Sequence, residues 1–230
     1  MKPICIIPAR HGSKRLPKKN FKKLFGQPII ERVIKNLNKT NLFSKIIVST
    51  DSKIIKKISE RAGAVVPFIR PKKLANDFVG INEVMSHAVN FLKKKGDSFE
   101  EVCCVFPTAV LVNAKDLIKS YKIFLRHRKN YLFSATISTL NFQRSFFFKN
   151  KKLKMFFPSK YKIRTQDLTV AYQDAGQFYW GSRKNWEMNK KIFTKNTKVF
   201  LLEKYKTIDV DTKEDWEILK NFYSKIIRSN

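Results

Sequence analysis

Between residues 4 and 67 short apolar runs alternate with amphipathic stretches at helical spacing, and this alternation restricts the chain to a layered α/β fold. Ile4-Cys5-Ile6-Ile7 reads as a buried strand. Ile29, Ile30, Val33, Ile34 and Leu37 then recur on one face, which predicts a helix from about Pro28 to Asn38, with Pro28 suited to its first position. Lys45 to Thr50 is a second buried strand. Asp51 or Ser52 caps a helix that runs to about Arg61 and is closed by Gly63. Ala64-Val65-Val66-Pro67 is a third short strand. Strand, helix, strand, helix, strand is the doubly wound pattern, with a mostly parallel sheet and right-handed crossovers.

The first strand breaks into a loop, Pro8-Ala9-Arg10-His11-Gly12-Ser13-Lys14-Arg15-Leu16-Pro17-Lys18-Lys19-Asn20, with no apolar periodicity. A loop at the carboxyl end of a buried parallel strand is where open α/β sheets bind ligands. Backbone N–H groups near Gly12 and Ser13, with Arg10, Lys14 and Lys19, are suited to surround a polyphosphate. The P-loop pattern GxxxxGK[ST] is absent. On composition alone the loop reads equally well as a phosphate cradle or as a solvated run of charge.

Ile7 to Asn20, Ile-Pro-Ala-Arg-x-Gly-Ser-Lys-x-x-Pro-x-Lys-Asn, resembles the N-terminal signature of the sialic-acid-type cytidylyltransferases, which make CMP-activated nonulosonic acids from CTP. Lys14 and the Lys18-Lys19-Asn20 ending resemble the sialate enzymes more than those acting on 3-deoxy-manno-octulosonate. The resemblance spans nearly the whole chain. It implies a single domain over 1–230, with a Rossmann-like nucleotide-diphospho-sugar transferase fold and a β-hairpin dimerisation lobe inserted at about 138–175. It also implies that Pro8, Ala9, Arg10, Gly12, Ser13, Lys14, Lys19 and Asn20 hold the nucleotide, with Arg10 and Lys19 catalytic. Arg70, held extended before Pro71, and Asp77 match the family's Arg-Pro and Leu-Ala-x-Asp over the cytosine. Ile81 stands where a small hydroxyl residue is often found.

Further along, Asn82 to Lys95 reads as a helix with Val84, Met85, Ala88, Val89 and Leu92 inward, and His87 as a packed side chain. Val102 to Phe106 is the central strand, leading into Pro107-Thr108. In the resembled family this turn meets the base and the sugar acid, which makes Thr108 a substrate contact. Phe106 replaces a Gln that is common in enzymes acting on N-acetylneuraminate and removes its amide. A helix follows from Asn113 to about His127, with Leu117, Ile118, Tyr121 and Leu125 inward, and then a core strand at Leu132 to Ile137. Phe146-Phe147-Phe148, a polar turn and Leu153 to Phe157 read as a hairpin with exposed aromatics. In the resembled family such a lobe exchanges between protomers, so a homodimer is expected.

Arg-x-Gln-Asp at Arg164 and Tyr-Gln-Asp-Ala-Gly-Gln-Phe-Tyr-Trp-Gly at Tyr172 resemble the branch of the family that acts on pseudaminic acid; related acceptors are N-acetylneuraminate and legionaminate. Arg164 suits a sugar carboxylate, and Gln166, Asp174 and Gln177 suit its polar substituents. Lys198 to Leu202 is a further strand. Asp209 and Asp211 are two apart, so on an extended segment they face one side and can share a cation. Their place before the last helix, which runs to about Arg228 with Trp216, Leu219 and Tyr223 inward, matches the family's Mg²⁺ motif and makes them catalytic and metal-binding.

The net charge of +30 raises a different class of reading, a non-enzymatic nucleic-acid-binding protein. The 48 Lys and Arg, however, run through the whole chain together with Ile, Asn and 20 Phe, the bias of an AT-rich genome rather than a focused groove. No nucleic-acid or membrane partner is therefore expected. Three cysteines, two of them adjacent, form neither a disulfide framework nor a zinc site. Met1 to Cys5 leads straight into a strand rather than a signal peptide, and no run of about 18 apolar residues occurs. A cytoplasmic protein is expected.

Overall fold

The computed structural model describes residues 1–228. Strand β1 (Ile4–Pro8) is followed by a tiny antiparallel pair, β2 (Lys23–Leu24) and β3 (Gln27–Pro28), and by helix α1 (Ile29–Lys39). Next come β4 (Lys45–Ser49), α2 (Lys53–Arg61), α3 (Ile81–Lys94), β5 (Glu101–Val105), α4 (Ala114–Leu125) and β6 (Leu132–Ile137). The hairpin β7 (Phe146–Lys149) and β8 (Lys152–Met155) precedes β9 (Tyr172–Ser182), α5 (Arg183–Glu187), β10 (Lys198–Leu201) and α6 (Lys213–Arg228).

Six strands form one sheet in the order β10-β6-β9-β5-β1-β4, in which β9 alone runs antiparallel to its neighbours. The expected doubly wound α/β architecture is present. Apolar side chains pack on both faces, because β1 is covered on each side. All five expected inward residues of α1 are buried, as are all five of α3. Ser52 caps α2 by accepting from the Ile55 N–H, and Gly63 follows that helix at φ +92°.

Four expectations need correction. Pro28 precedes α1 as its cap rather than opening it. Ala64 to Pro67 makes no strand, only a bridge from Val65 to Ile47, because Pro67 has no N–H to continue the ladder. Helix α4 turns Leu117, Ser120 and Phe124 into the core, while Ile118 and Leu125 are half-buried. The cause is Trp180, fully buried against Phe43, Tyr121 and Phe124, whose indole N–H donates to Ser120 Oγ at 3.0 Å. Finally, the insertion ends earlier than residue 175, since Tyr172, Gln173 and Asp174 pair with Ile137, Thr136 and Ala135 of β6 in the main sheet.

The hairpin itself forms as expected, with Asn150 and Lys151 in left-handed conformations at its turn. Phe146, Phe147, Phe148, Leu153, Phe156 and Phe157 are all exposed on this lobe. Among the described residues no helix is long and apolar enough to cross a membrane.

Candidate active site

The carboxyl ends of β1 and β5 open into a cleft of about 820 Å³. Pro8, Arg10, Gly12, Ser13, Lys14, Lys19 and Asn20 line it from the opening loop, and Arg70 and Asp77 from the segment before α3. Thr108, Asp174, Asp209 and Asp211 complete the same lining. Residues from the two ends of the chain thus share one space.

The loop is held in place at several points. The Ala9 N–H extends the β1 ladder to Ser49 O at 2.9 Å, which leaves Ala9 buried behind the cleft wall. Leu16 is buried in the core, and the His11 N–H donates to Asp51 Oδ1 at 2.7 Å. Asn20 is buried and donates to Arg10 O at 2.8 Å, while its Oδ1 has no partner among the described residues. Its cations rest on two carboxylates. Arg10 and Lys14 each lie 2.6 Å from an oxygen of Asp77, and these bonds pull the Asp77 carboxyl below its ordinary range. Arg15 and Lys19 lie 2.6 and 2.9 Å from the two oxygens of Asp211.

Asp209 differs from its neighbour. It has no hydrogen-bond or ion-pair partner among the described residues. Its carboxyl is pushed up, first by the desolvating cleft walls and then by the like charge of Asp211, against the pull of Lys19 and Arg15. It remains open to the cleft rather than sealed in the core. The two acids stand on a loop between buried Leu202 and α6, pinned by fully buried Val210. Asp215 accepts from the Asp211 and Thr212 N–H groups at 3.0 and 2.7 Å. Among the described residues no third carboxylate, His or Cys groups with them.

Arg70 is buried, and its guanidinium donates to the backbone oxygen and the hydroxyl of Ser49 at the end of β4. Burial brings its pKa down to about 10, so it keeps its charge at neutral pH. Phe106 lines the cleft edge-on to Tyr179, their ring centres 5.7 Å apart.

On the far wall a β-bulge shapes the site. Phe133 pairs with Tyr179 and Ala135 with Asp174, so four residues of β9 oppose the single Ser134 of β6. Ser134 Oγ accepts the Gln177 and Phe178 N–H groups at 3.2 and 3.0 Å. Gly176 takes φ +58°, and its N–H donates to Asp174 Oδ1 at 3.0 Å. In a regular strand residues five apart face opposite sides. The bulge instead lets the Tyr179 hydroxyl donate to Asp174. Burial, and then Asp174, push the Tyr179 hydroxyl pKa well up, so it stays a donor.

Three expected substrate residues do not line this cleft. Gln177 is buried, and its side-chain amide donates to Ala175 O at 2.8 Å inside the bulge. Arg164 and Gln166 are exposed beside the hairpin lobe, where Arg164 pairs with Asp167 at 2.9 Å. Conversely, Arg15, Asn76 and Tyr179 line the cleft although the sequence alone assigns them no role. Arg15 was legible as one more cation of a basic loop. Tyr179 was not, since strand alternation alone turns it away from Asp174.

A loop of cations at the end of β1 facing paired acids before the last helix is the arrangement that the N-terminal signature leads one to expect. Residues 4–228 match the family model described as cytidylyltransferase. The chain belongs to the cytidylyltransferase family. It is 38% identical to the pseudaminic acid cytidylyltransferase of Campylobacter jejuni, over 97% of each chain. It is 28% identical to the CMP-N,N'-diacetyllegionaminic acid synthase of Legionella pneumophila, over 95% of this chain and 94% of that one. A solved structure of a CMP:2-keto-3-deoxy-manno-octonic acid synthetase complexed with CTP shares the fold, with a TM-score of 0.71 at 15% identity over 98% and 99% of the two chains. The expected Rossmann-like nucleotidyltransferase fold is therefore present.

Proposed function

We propose that this cytidylyltransferase joins CMP from CTP to the anomeric hydroxyl of pseudaminic acid and releases pyrophosphate. The observation that carries the reading is the shared lining of one cleft by Arg10, Lys14 and Lys19 at one end of the sequence and by Asp209 and Asp211 at the other. The 38% identity to the Campylobacter enzyme supports the choice of acceptor.

The anomeric hydroxyl gives its proton to solvent as its oxygen attacks the α-phosphorus. That O–P bond forms as the bond from the α-phosphorus to the oxygen bridging it to the β-phosphorus breaks, and pyrophosphate leaves. Catalysis of this kind is mostly positioning and charge neutralisation. Arg10, Ser13, Lys14 and Lys19 hold the phosphates. The buried, unpartnered Oδ1 of Asn20 offers an acceptor to the nucleotide. Arg70 stiffens the wall at the nucleoside through its bonds to Ser49. A polyphosphate draws Arg15 and Lys19 off Asp211 and frees that carboxylate.

The acidic pair fits Mg²⁺. Asp209 is an unpaired carboxylate beside a second negative charge, a strain that a divalent cation relieves. Two carboxylates completed by water and phosphate oxygens are the usual Mg²⁺ set. When bound there, the ion supplies charge neutralisation at the reacting phosphate. Asp174, oriented by Tyr179, and Thr108 face the acceptor. The apolar lobe serves a homodimer, in which Arg164 reaches the acceptor across the subunit boundary. The enzyme works in the cytoplasm, where CTP is available.

Pyrophosphate release from CTP, measured with a panel of nonulosonic acids, tests the reading. Turnover with pseudaminic acid at least tenfold above legionaminate and N-acetylneuraminate is expected. Preference for another acceptor overturns the acceptor assignment, and no release with any of them overturns the reaction.

A further inference from the structure

Lys206 has no role in the chemistry described above, yet it is nearly sealed from solvent, its side chain 6% exposed. Its ammonium lies 2.9 Å from Asp116 Oδ2, 3.1 Å from Asp116 Oδ1 and 2.7 Å from Glu203 Oε2. Asp116 is itself engaged. It closes the capping box at the start of α4, accepting from the Asn113 N–H at 3.1 Å while the Asp116 N–H donates to Asn113 Oδ1 at 3.0 Å. Helix α4 follows the turn that carries Thr108 into the cleft. Lys206 ends the short turn Lys204–Lys206, three residues before Asp209. A single buried ammonium therefore ties the segment that carries the acidic pair to the helix that follows the Thr108 turn.

We propose that Lys206 is a positioning residue that sets the reach of Asp209 and Asp211 toward the cation and the nucleotide. Behind the acids the loop is already fixed by Val210 and Asp215. In front of them the Lys206–Asp116 pair is the only ion pair that crosses to another element among the described residues 203–208, the Glu203 pair staying within the segment. A buried ion pair adds little net stability over an apolar side chain of the same size, so its contribution here is register rather than folding energy. Residues that orient metal ligands from behind change metal affinity when replaced.

The inference rests on the metal assignment above, and the test separates the two. CTP binding is measured by calorimetry without acceptor, once in chelator and once in Mg²⁺, and the ratio of the two dissociation constants reports the cation's share. In Asp209→Asn that ratio collapses to about one; if it does not, the metal assignment fails. In Lys206→Met the ratio falls by roughly tenfold, the low end for such residues, while the constant in chelator stays within about twofold. Asp116→Asn, which keeps a capping oxygen, reproduces the loss, and the double variant is no worse than the worse single one. Should Lys206→Met fail to fold, Asp116→Asn decides alone. An unchanged ratio in the folded variants, with Asp209→Asn behaving as expected, overturns the role of Lys206 and leaves the metal assignment standing.

Discussion

Lys19 Nζ lies 2.9 Å from Asp211 Oδ1, a contact between residues 192 apart in the chain. It joins the opening loop to the acidic pair directly, and both then face one cleft. A side chain so placed neutralises the acid, and in the proposed reaction it is the cation that moves to a phosphate.

Replacing Lys19 with Ala removes that cation. Turnover falls by roughly 10²-fold or more, the order seen when a donor to a transition-state charge is lost. Steady-state pyrophosphate release checks this, and unchanged kinetics would show that Lys19 is merely a partner for Asp211.

Asp209→Asn separates stability from function. The carboxyl is raised by the desolvating cleft walls and by Asp211. A raised carboxyl contributes stability that is present below the ordinary carboxylate pKa and is lost as pH rises through its folded value. At neutral pH the charge is therefore a small burden, limited by its openness to cleft water. The variant melts at the same or a slightly higher temperature than the parent at pH 7 and loses Mg²⁺-dependent turnover. A fall in Tm of more than roughly 2 °C, about the shift for one kcal/mol in a chain of this size, contradicts this account of its environment.

Gly176→Ala tests the bulge. No atom lies within 4 Å of the added Cβ, so the cost arises from φ +58° alone, roughly 1–2 kcal/mol. Relief of that strain moves Asp174. The KM for the sugar acid rises several-fold while the KM for CTP stays within about twofold. Equal effects on both substrates would indicate a general loss of order.

Gly181→Ala probes packing, because the added Cβ would sit 2.5 Å from the Tyr131 ring and 2.6 Å from Trp186 Nε1. Both neighbours are buried rings with no room to yield. A loss of about 3 kcal/mol or more in urea unfolding is expected. A loss below about 1 kcal/mol would show that these rings repack.

Arg164→Ala and Asp209→Asn address the proposed dimer together. If Arg164 serves the cleft across the interface, each variant is inactive alone. Random mixing from unfolded chains restores about a quarter of wild-type activity, since half the dimers are mixed and each holds one intact site. No recovery places Arg164 outside the acceptor site.

The elements were legible where periodicity and burial agree. The apolar faces of α1 and α3 announced themselves residue by residue. The cationic loop and the acid pair were legible because their motif is long and its chemistry local. What escaped depends on distant partners. Ser120 is buried because Trp180 needs an acceptor, and that pairing spans 60 residues. Tyr179 reaches Asp174 only through a bulge whose cause, Ser134, lies on another strand. Gln177 looked like a reader of sugar groups but spends its amide inside that same bulge. Arg164 follows the hairpin out of the sheet, so its sequence motif gave no hint of its distance from the cleft of its own chain.

The central claim is that one triphosphate is gripped from both ends of the chain. The most direct measurement is a crystal structure with CTP and Mn²⁺, using anomalous scattering to locate the cation. The account predicts Mn²⁺ on Asp209 and Asp211 and in contact with a CTP phosphate that Lys19 or Arg10 also touches. A triphosphate bound outside this cleft, or a cation that contacts neither acid, would contradict it.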